Sequence, residues 1–241
     1  MRKRTRMTVG LATVLFSVAL CLPTSASAAL VTLADDGAWS SADWTDWLTT
    51  LGPGGTSTVN YAQSGGNPDT MLSVVHHINA GDGTTPAVFT HLLFDAETYT
   101  PSSAVPLSDI EFEIDMKWPG VGIGGCFLQW IIQQDGYVYT NNLGNLAPSS
   151  WTHYSSGQLT AASFVRLDNT SLHPDFSSTG SEMKFGMRLS NANTSTGPAY
   201  DTSDNYDNFR VSSSVPEPAT VGVLLLGAIP VAARARKMRR G

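Results

Sequence analysis

Cysteine is almost absent from this 241-residue chain, which has only Cys21 and Cys126. Cys21 falls in a segment read below as removed. The one remaining thiol closes no internal disulfide and builds no paired-cysteine metal knuckle, which excludes disulfide scaffolds, zinc ribbons and Cys-x-x-Cys redox motifs. Charge is scarce as well: charged residues make up 14%, against about 25% in an average globular protein. Basic residues are scarcest in the middle. Arg2, Lys3, Arg4 and Arg6 crowd one end, and Arg234, Arg236, Lys237, Arg239 and Arg240 the other. Only Lys117, Arg166, Lys184, Arg188 and Arg210 lie between them, in a stretch that holds every acid except Glu217. So acidic a body repels phosphate backbones and argues against nucleic acid as a partner. Soluble partners, divalent cations and neutral glycans stay open. Amphipathic helices longer than two or three turns are missing, and so are a Gly-x-Ser-x-Gly elbow and a His-Glu-x-x-His motif. What is abundant is turn chemistry, with 22 Gly and 13 Pro. That is too little for collagen, and the chain is too apolar for a charged disordered one.

Both ends read as addresses. The basic start, the apolar run Val9–Leu22 and Ala26-Ser27-Ala28 form a secretory signal peptide, with cleavage expected after Ala28. At the other end Pro216-Glu217-Pro218 precedes the uncharged run Ala219–Ala233, and a cationic tail follows. Fifteen helical residues span about 22 Å, short of a hydrocarbon core of about 30 Å, and Pro230 weakens the run further as a helix. The cationic stop is of the kind retained on the cytoplasmic side, so the expected membrane hold is transient. Pro-Glu-Pro, short apolar helix and Arg-rich tail, in that order, resemble the PEP-CTERM sorting signal. The resemblance covers residues 215–241. It implies an exosortase that cuts near Pro216-Glu217-Pro218, with Arg234, Arg236, Lys237, Arg239 and Arg240 as the retained tail, and delivery to a bacterial surface alongside exopolysaccharide.

Residues 29–214 then form one domain, and their pattern is all-β. Ile110, Phe112, Ile114 and Met116 alternate with Glu111, Glu113 and Asp115, which predicts a strand with one core face. Cys126–Gln134 runs through Asp135-Gly136 into Tyr137–Thr140. Asp-Gly between two strand-like runs predicts a two-residue type I′ hairpin, with Gln134 opposite Tyr137, Ile132 opposite Tyr139 and Trp130 opposite Asn141. Met183, Phe185, Met187 and Leu189 alternate against Lys184 and Arg188, and a last strand is expected over Tyr206–Ser212. The order of Gly65-Gly-Asn-Pro68, Met71–Val75, Leu159–Phe164, Pro174–Ser177 and Asp207–Val211 resembles secreted bacterial jelly-roll domains of the laminin-G, concanavalin or carbohydrate-binding-module kind. That resemblance implies two antiparallel sheets, one often concave, and sometimes a structural calcium ion. The whole chain is thus expected to be an antiparallel β-sandwich flanked by a signal helix and a short apolar C-terminal helix.

Three site readings follow. Glu113-Ile-Asp115 resembles the carboxylate strand of jelly-roll glycoside hydrolases, but Lys117 or Trp118 stands where the closing glutamate belongs. The pair that retaining hydrolysis needs is therefore incomplete, and a polar strand face or relic surface is the simpler reading. Asp201, Asp204 and Asp207, interleaved with Asn205 and Asn208, offer hard oxygen ligands for Ca²⁺, with Asp35 and Asp36 as possible additions from the first strand. Acidic turn residues have the same composition. For glycan binding, flat rings stack on sugar faces while amides take hydroxyls. The candidates are Trp130, Tyr137 and Tyr139 on one hairpin face, with Gln134 and Asn141 beside them, unless that face is the core. Trp39, Trp44, Trp47 and Trp151 are expected to pack in loops and first strands. His76 and His77, being adjacent on a strand, must face opposite ways. The sequence reading is a non-enzymatic surface protein, structural or adhesive near exopolysaccharide. A carbohydrate-binding module is its first alternative and a degenerate glycosidase its second. Signal peptidase, exosortase and transiently the inner membrane are its partners in export.

Overall fold

The computed structural model describes residues 29–102, 107–120 and 126–215. The two expected terminal helices, Ala28, Pro216-Glu217-Pro218 and the Arg234–Arg240 tail lie outside them. Among the described residues no helix is long and apolar enough to cross a membrane.

Among the described residues twelve strands form two antiparallel sheets of six. The first contains β1 (Ala29–Asp36), β3 (Gly55–Ser64), β4 (Thr70–Ile78), β6 (Glu111–Lys117), β9 (Thr152–Ser155) and β12 (Tyr200–Val215), ordered β3-β4-β12-β6-β9. The long β12 serves two neighbours in succession: Tyr200–Tyr206 pair with β4, and Phe209–Val215 pair with β1. The second sheet runs β10-β8-β7-β11-β5-β2. Its members are β2 (Trp44–Leu51), β5 (Ala87–Tyr99), β7 (Cys126–Gln134), β8 (Tyr137–Leu146), β10 (Val165–Arg166) and β11 (Met183–Ala192). The chain passes between sheets at β1–β2, β2–β3, β4–β5, β5–β6, β6–β7, β8–β9, β9–β10 and β11–β12, so each sheet is assembled from distant parts of the sequence.

Hydrophobic alternation sets the core. Ile110, Phe112, Ile114 and Met116 are fully buried, as are Met183, Phe185, Met187 and Leu189 across the gap. Phe112 lies flat on Trp130 at 5.1 Å and touches Phe164, Phe185 and Phe209. Burying one such ring contributes about 1.5–3 kcal/mol, and truncating it to alanine in a packed core costs about 3–5 kcal/mol. The hairpin has the expected register, with Gln134↔Tyr137, Ile132↔Tyr139 and Trp130↔Asn141. Asp135 and Gly136 have φ of 55° and 77°, the left-handed pair that a type I′ turn requires. The last strand starts six residues earlier than its pattern predicted and ends three later.

A second aromatic knot closes one end. Trp39 and Trp44 stack at 5.0 Å, and Phe94 and Phe209 pack on Trp44. Asp36 ties this knot: Oδ1 accepts the Ala38 and Trp39 amides at 2.9 Å, and Oδ2 accepts the Trp44 indole N–H.

Candidate functional site: a cross-strand row on the second sheet

The predicted ring platform is divided by the fold. Trp130 and Tyr139 lie on the inner face of the second sheet and are buried in the core, at 0% and 8% exposure. Only Tyr137, at the hairpin tip, reaches solvent, and the Arg166 guanidinium covers its ring at 4.0 Å. The parity of β7 explains the outcome. Trp130 and Ile132 share a side with Cys126 and Leu128, and that side meets Phe112. The opposite side carries Ile131 as well, so apolarity alone did not distinguish the two.

The acidic candidates are also dispersed. Asp201 and Asp207 lie six residues apart on one extended strand, about 20 Å at 3.3 Å per residue, and Asp204 faces the other way. Asp201 is exposed beside His77 at 2.7 Å. Asp204 is buried on the inner face beside Cys126 and Tyr206, where burial pushes its carboxyl up to about 7. Asp207 is buried and already receives N–H donors: Trp39 Nε1 at 3.4 Å and the Asn208 amide at 2.8 Å on Oδ1, and the Asn67 amide on Oδ2. Among the described residues no three His, Cys, Asp or Glu side chains are placed to hold a metal ion.

Glu113 and Asp115 are on the outer face of the first sheet. Asp115 Oδ1 meets His153 Nδ1 at 2.9 Å, and its Oδ2 accepts Asn67 and Asn208 side-chain amides. Glu113 approaches His153 Nε2 at 3.5 Å and Arg210 at 3.8 Å. Both carboxylates are engaged in a polar strand face. His76 and His77 do face opposite ways: His76 is buried, held by Asn191 at 2.5 Å and Thr90 at 2.8 Å, and His77 points outward.

The outer face of the second sheet carries what the sequence did not assemble. Cross-strand pairing places Trp47 opposite His91, His91 opposite Arg188, Arg188 opposite Gln129 and Gln129 opposite Asn142. These residues form a single row across β2, β5, β11, β7 and β8. Directly opposite residues on one face are placed to interact, and three of the four neighbouring pairs here make a ring stack or a side-chain hydrogen bond. The Trp47 and His91 rings stack at 4.6 Å, 13° from parallel. Thr49 Oγ1 lies 3.1 Å from His91 Nε2. The Arg188 guanidinium sits 4.1 Å from the Phe89 ring centre and donates through Nη1 to Gln129 Oε1 at 2.5 Å. Gln129 Nε2 in turn donates to Asn142 Oδ1 at 2.5 Å. Burial first, then the Arg188 charge, pushes His91 down to about 4, so its ring is neutral at ordinary pH. Arg188 is itself lowered by burial.

The register brings the β5 backbone hard against β11 beside this row. Gly186, next to Arg188 on the same side of β11, lies between Leu93 and Ile131. No side chain fits there, because a Cβ would stand 2.0 Å from the Leu92 carbonyl oxygen. A row of five residues on adjacent strands spans about 19 Å, the length of a short oligosaccharide.

Flat rings, amides and a cation in one row give this β-sandwich a polar-aromatic outer face on its second sheet. No family model matches the chain and no curated protein matches it. Among solved structures it is similar to the family 11 carbohydrate-binding module of a cellulosomal cellulase of Clostridium thermocellum. The identity is 12%, with 78% of this chain and 95% of that one covered, and the TM-score is 0.41. It is also similar to TmCBM27, a module described by its specific mannan recognition, at 13% identity, 77% and 99% coverage and a TM-score of 0.32. A third is TmCBM61 in complex with β-1,4-galactotriose, at 10% identity, 74% and 92% coverage and a TM-score of 0.33.

Proposed function

We propose that this protein is an exported glycan-binding module and that the outer face of its second sheet is the binding surface. The observation that supports the reading is the Trp47–His91–Arg188–Gln129–Asn142 row. Sugars are bound by a ring against their C–H face and by planar amide and guanidinium groups against their hydroxyls. Stacking on His91 braces Trp47, and Asn142 and Arg188 brace Gln129 from either side, which lowers the ordering cost of binding. Export through a signal peptide and sorting by an exosortase-type cut at Pro216-Glu217-Pro218 are part of the same proposal, since the sequence carries both addresses. An adhesive or scaffolding role in an exopolysaccharide matrix would then be exercised through this face. A structural calcium ion stays a separate proposal, and an EDTA melting experiment decides it.

The test is retention of the full-length protein on immobilised polysaccharides, comparing wild type with Trp47→Ala and Gln129→Ala. Retention of wild type and at least tenfold weaker retention of both variants is the expected result. Binding unaffected by either substitution would move the site elsewhere, and retention on no polysaccharide would remove the function.

A further inference from the structure

We infer that the polymer bound on this face is anionic, with carboxylate groups on its sugars, and that Arg188 is the residue that selects for it. The inference rests on the glycan-binding reading above. The acid excess of the sequence points by itself toward neutral ligands, but the local charge of the face has the opposite sign.

The cations of the body are not equivalent. Lys184 is paired with Asp95 at 2.7 Å, Arg166 with Asp168 at 2.5 Å and Arg210 with Glu113 at 3.8 Å. Arg188 stands in the middle of its row and has no carboxylate within ion-pair distance among the described residues. Its neighbours across the ladder are His91, held neutral, and Gln129. Along β11 they are Gly186 and Ser190. None carries a negative charge. The guanidinium is half-buried, and its Nε is shielded from solvent without a hydrogen-bond partner, as is His91 Nδ1 in the same row. A partly desolvated charge without a counter-charge is costly, and so is a buried donor left unpaired. Nη1 is committed to Gln129 and the flat of the group to Phe89, which holds the fork in a fixed attitude.

With Nη1 held by Gln129 and Nε shielded from solvent, what this fixed guanidinium offers a carboxylate is its uncompensated charge rather than a two-pronged fork. Trp47 and the amides then hold the neutral part of the chain while Arg188 takes the acid. The many acids elsewhere on the body do not cancel this. At physiological ionic strength charges beyond about 8 Å are screened, and Asp95, on the same side of β5 as His91, is neutralised by Lys184. Binding therefore weakens with salt for acidic polymers only.

The experiment is affinity electrophoresis and calorimetry of the full-length protein. The probes are polygalacturonate, alginate and hyaluronate, each beside its carboxyl-reduced derivative, with β-glucan, mannan and galactan as neutral references. The expected result is binding to at least one acidic polymer and a roughly 10- to 100-fold loss when its carboxyls are reduced. Arg188→Gln should reproduce that loss. Arg188→Lys should recover part of it, and Arg166→Gln, off the face, should leave affinity unchanged. A neutral or carboxyl-reduced polymer binding as tightly as its acidic form overturns the charge proposal and leaves the glycan reading intact. So does full affinity in Arg188→Gln. If no polymer of either kind binds, the glycan reading fails first and this inference fails with it. Circular dichroism of each variant separates loss of site from loss of fold.

Discussion

The indole of Trp47 lies against the imidazole of His91, ring centroids 4.6 Å apart and planes within 13° of parallel. The two come from neighbouring strands and are directly paired. One face of Trp47 is thus taken by His91, and the ring forms one end of the cross-strand row. Stacks of this kind contribute about 0.5–1.5 kcal/mol beyond buried area. Trp47→Ala should lower stability by no more than about 1.5 kcal/mol in urea titration while abolishing polysaccharide retention. An equal loss of both would make Trp47 a packing residue only.

Asp204 and the buried histidines pull stability in opposite directions with pH. Burial raises the folded carboxyl of Asp204 to about 7 from 3.8. Between those values the folded state holds the extra proton, so stability falls as pH rises through the window. Burial lowers His91 to about 4 and lowers His76 as well. For these groups the unfolded state holds the extra proton below about pH 6.5, so stability falls as pH drops. Asp204→Asn removes the first effect alone. The variant should gain up to about 4 kcal/mol over wild type at pH 8 and show no gain at pH 3.5, read from thermal unfolding across the range. A constant difference at every pH would mean that titration of Asp204 is not its cause.

Cys126 is fully buried, and its thiol is pushed far above its ordinary range, first by burial and then by the Asp204 charge. The thiolate is the reactive form. Iodoacetamide should therefore leave Cys126 untouched at pH 8 in the folded protein and label it in urea, with site occupancy read by mass spectrometry. Labelling at a rate matching global unfolding is expected, and rapid native labelling would contradict the burial.

Gly186 tolerates no Cβ, because the obstacle is the Leu92 backbone carbonyl rather than a flexible side chain. Gly186→Ala must open the β11–β5 ladder and should cost about 2–4 kcal/mol. An unchanged urea midpoint would show that the two strands separate freely there. Ser190→Ala, on the same face, serves as the neutral comparison, with a change within about 1 kcal/mol.

The strands that were legible in advance are those with clean alternation. The 110–116 and 183–189 segments state which side is core because every second residue is apolar and the others are charged, apart from Gly186. Asp135-Gly136 states the hairpin register because few residue pairs accept two left-handed conformations. The row on the second sheet was not legible for the converse reason. Its five members come from five strands separated by up to 141 residues of chain, and no local pattern marks them. Arg188 was placed correctly as outward-facing by its alternation, but nothing nearby in sequence shows that it lacks an acid. Trp47 reads from sequence as a packing residue, since a tryptophan in a short strand looks the same on either face. Trp130 does not mark an exposed face by itself, because Ile131 beside it makes both faces of β7 apolar. The Asp201, Asp204 and Asp207 spacing suits a loop, and it dispersed because the segment is strand throughout.

The pairing of Ala29 with Val215 has a mechanical consequence. The first and last rungs of the domain are one rung, so the two ends of the body leave from a single point. A force applied between those ends would act on β1 and β12 as on a zipper, breaking one pair at a time at low load. A force between a polymer held on the second sheet and either end takes another route. It crosses the packed aromatic interior and loads many strands together, so the domain should withstand drag from a bound polymer far better than traction on its own two ends.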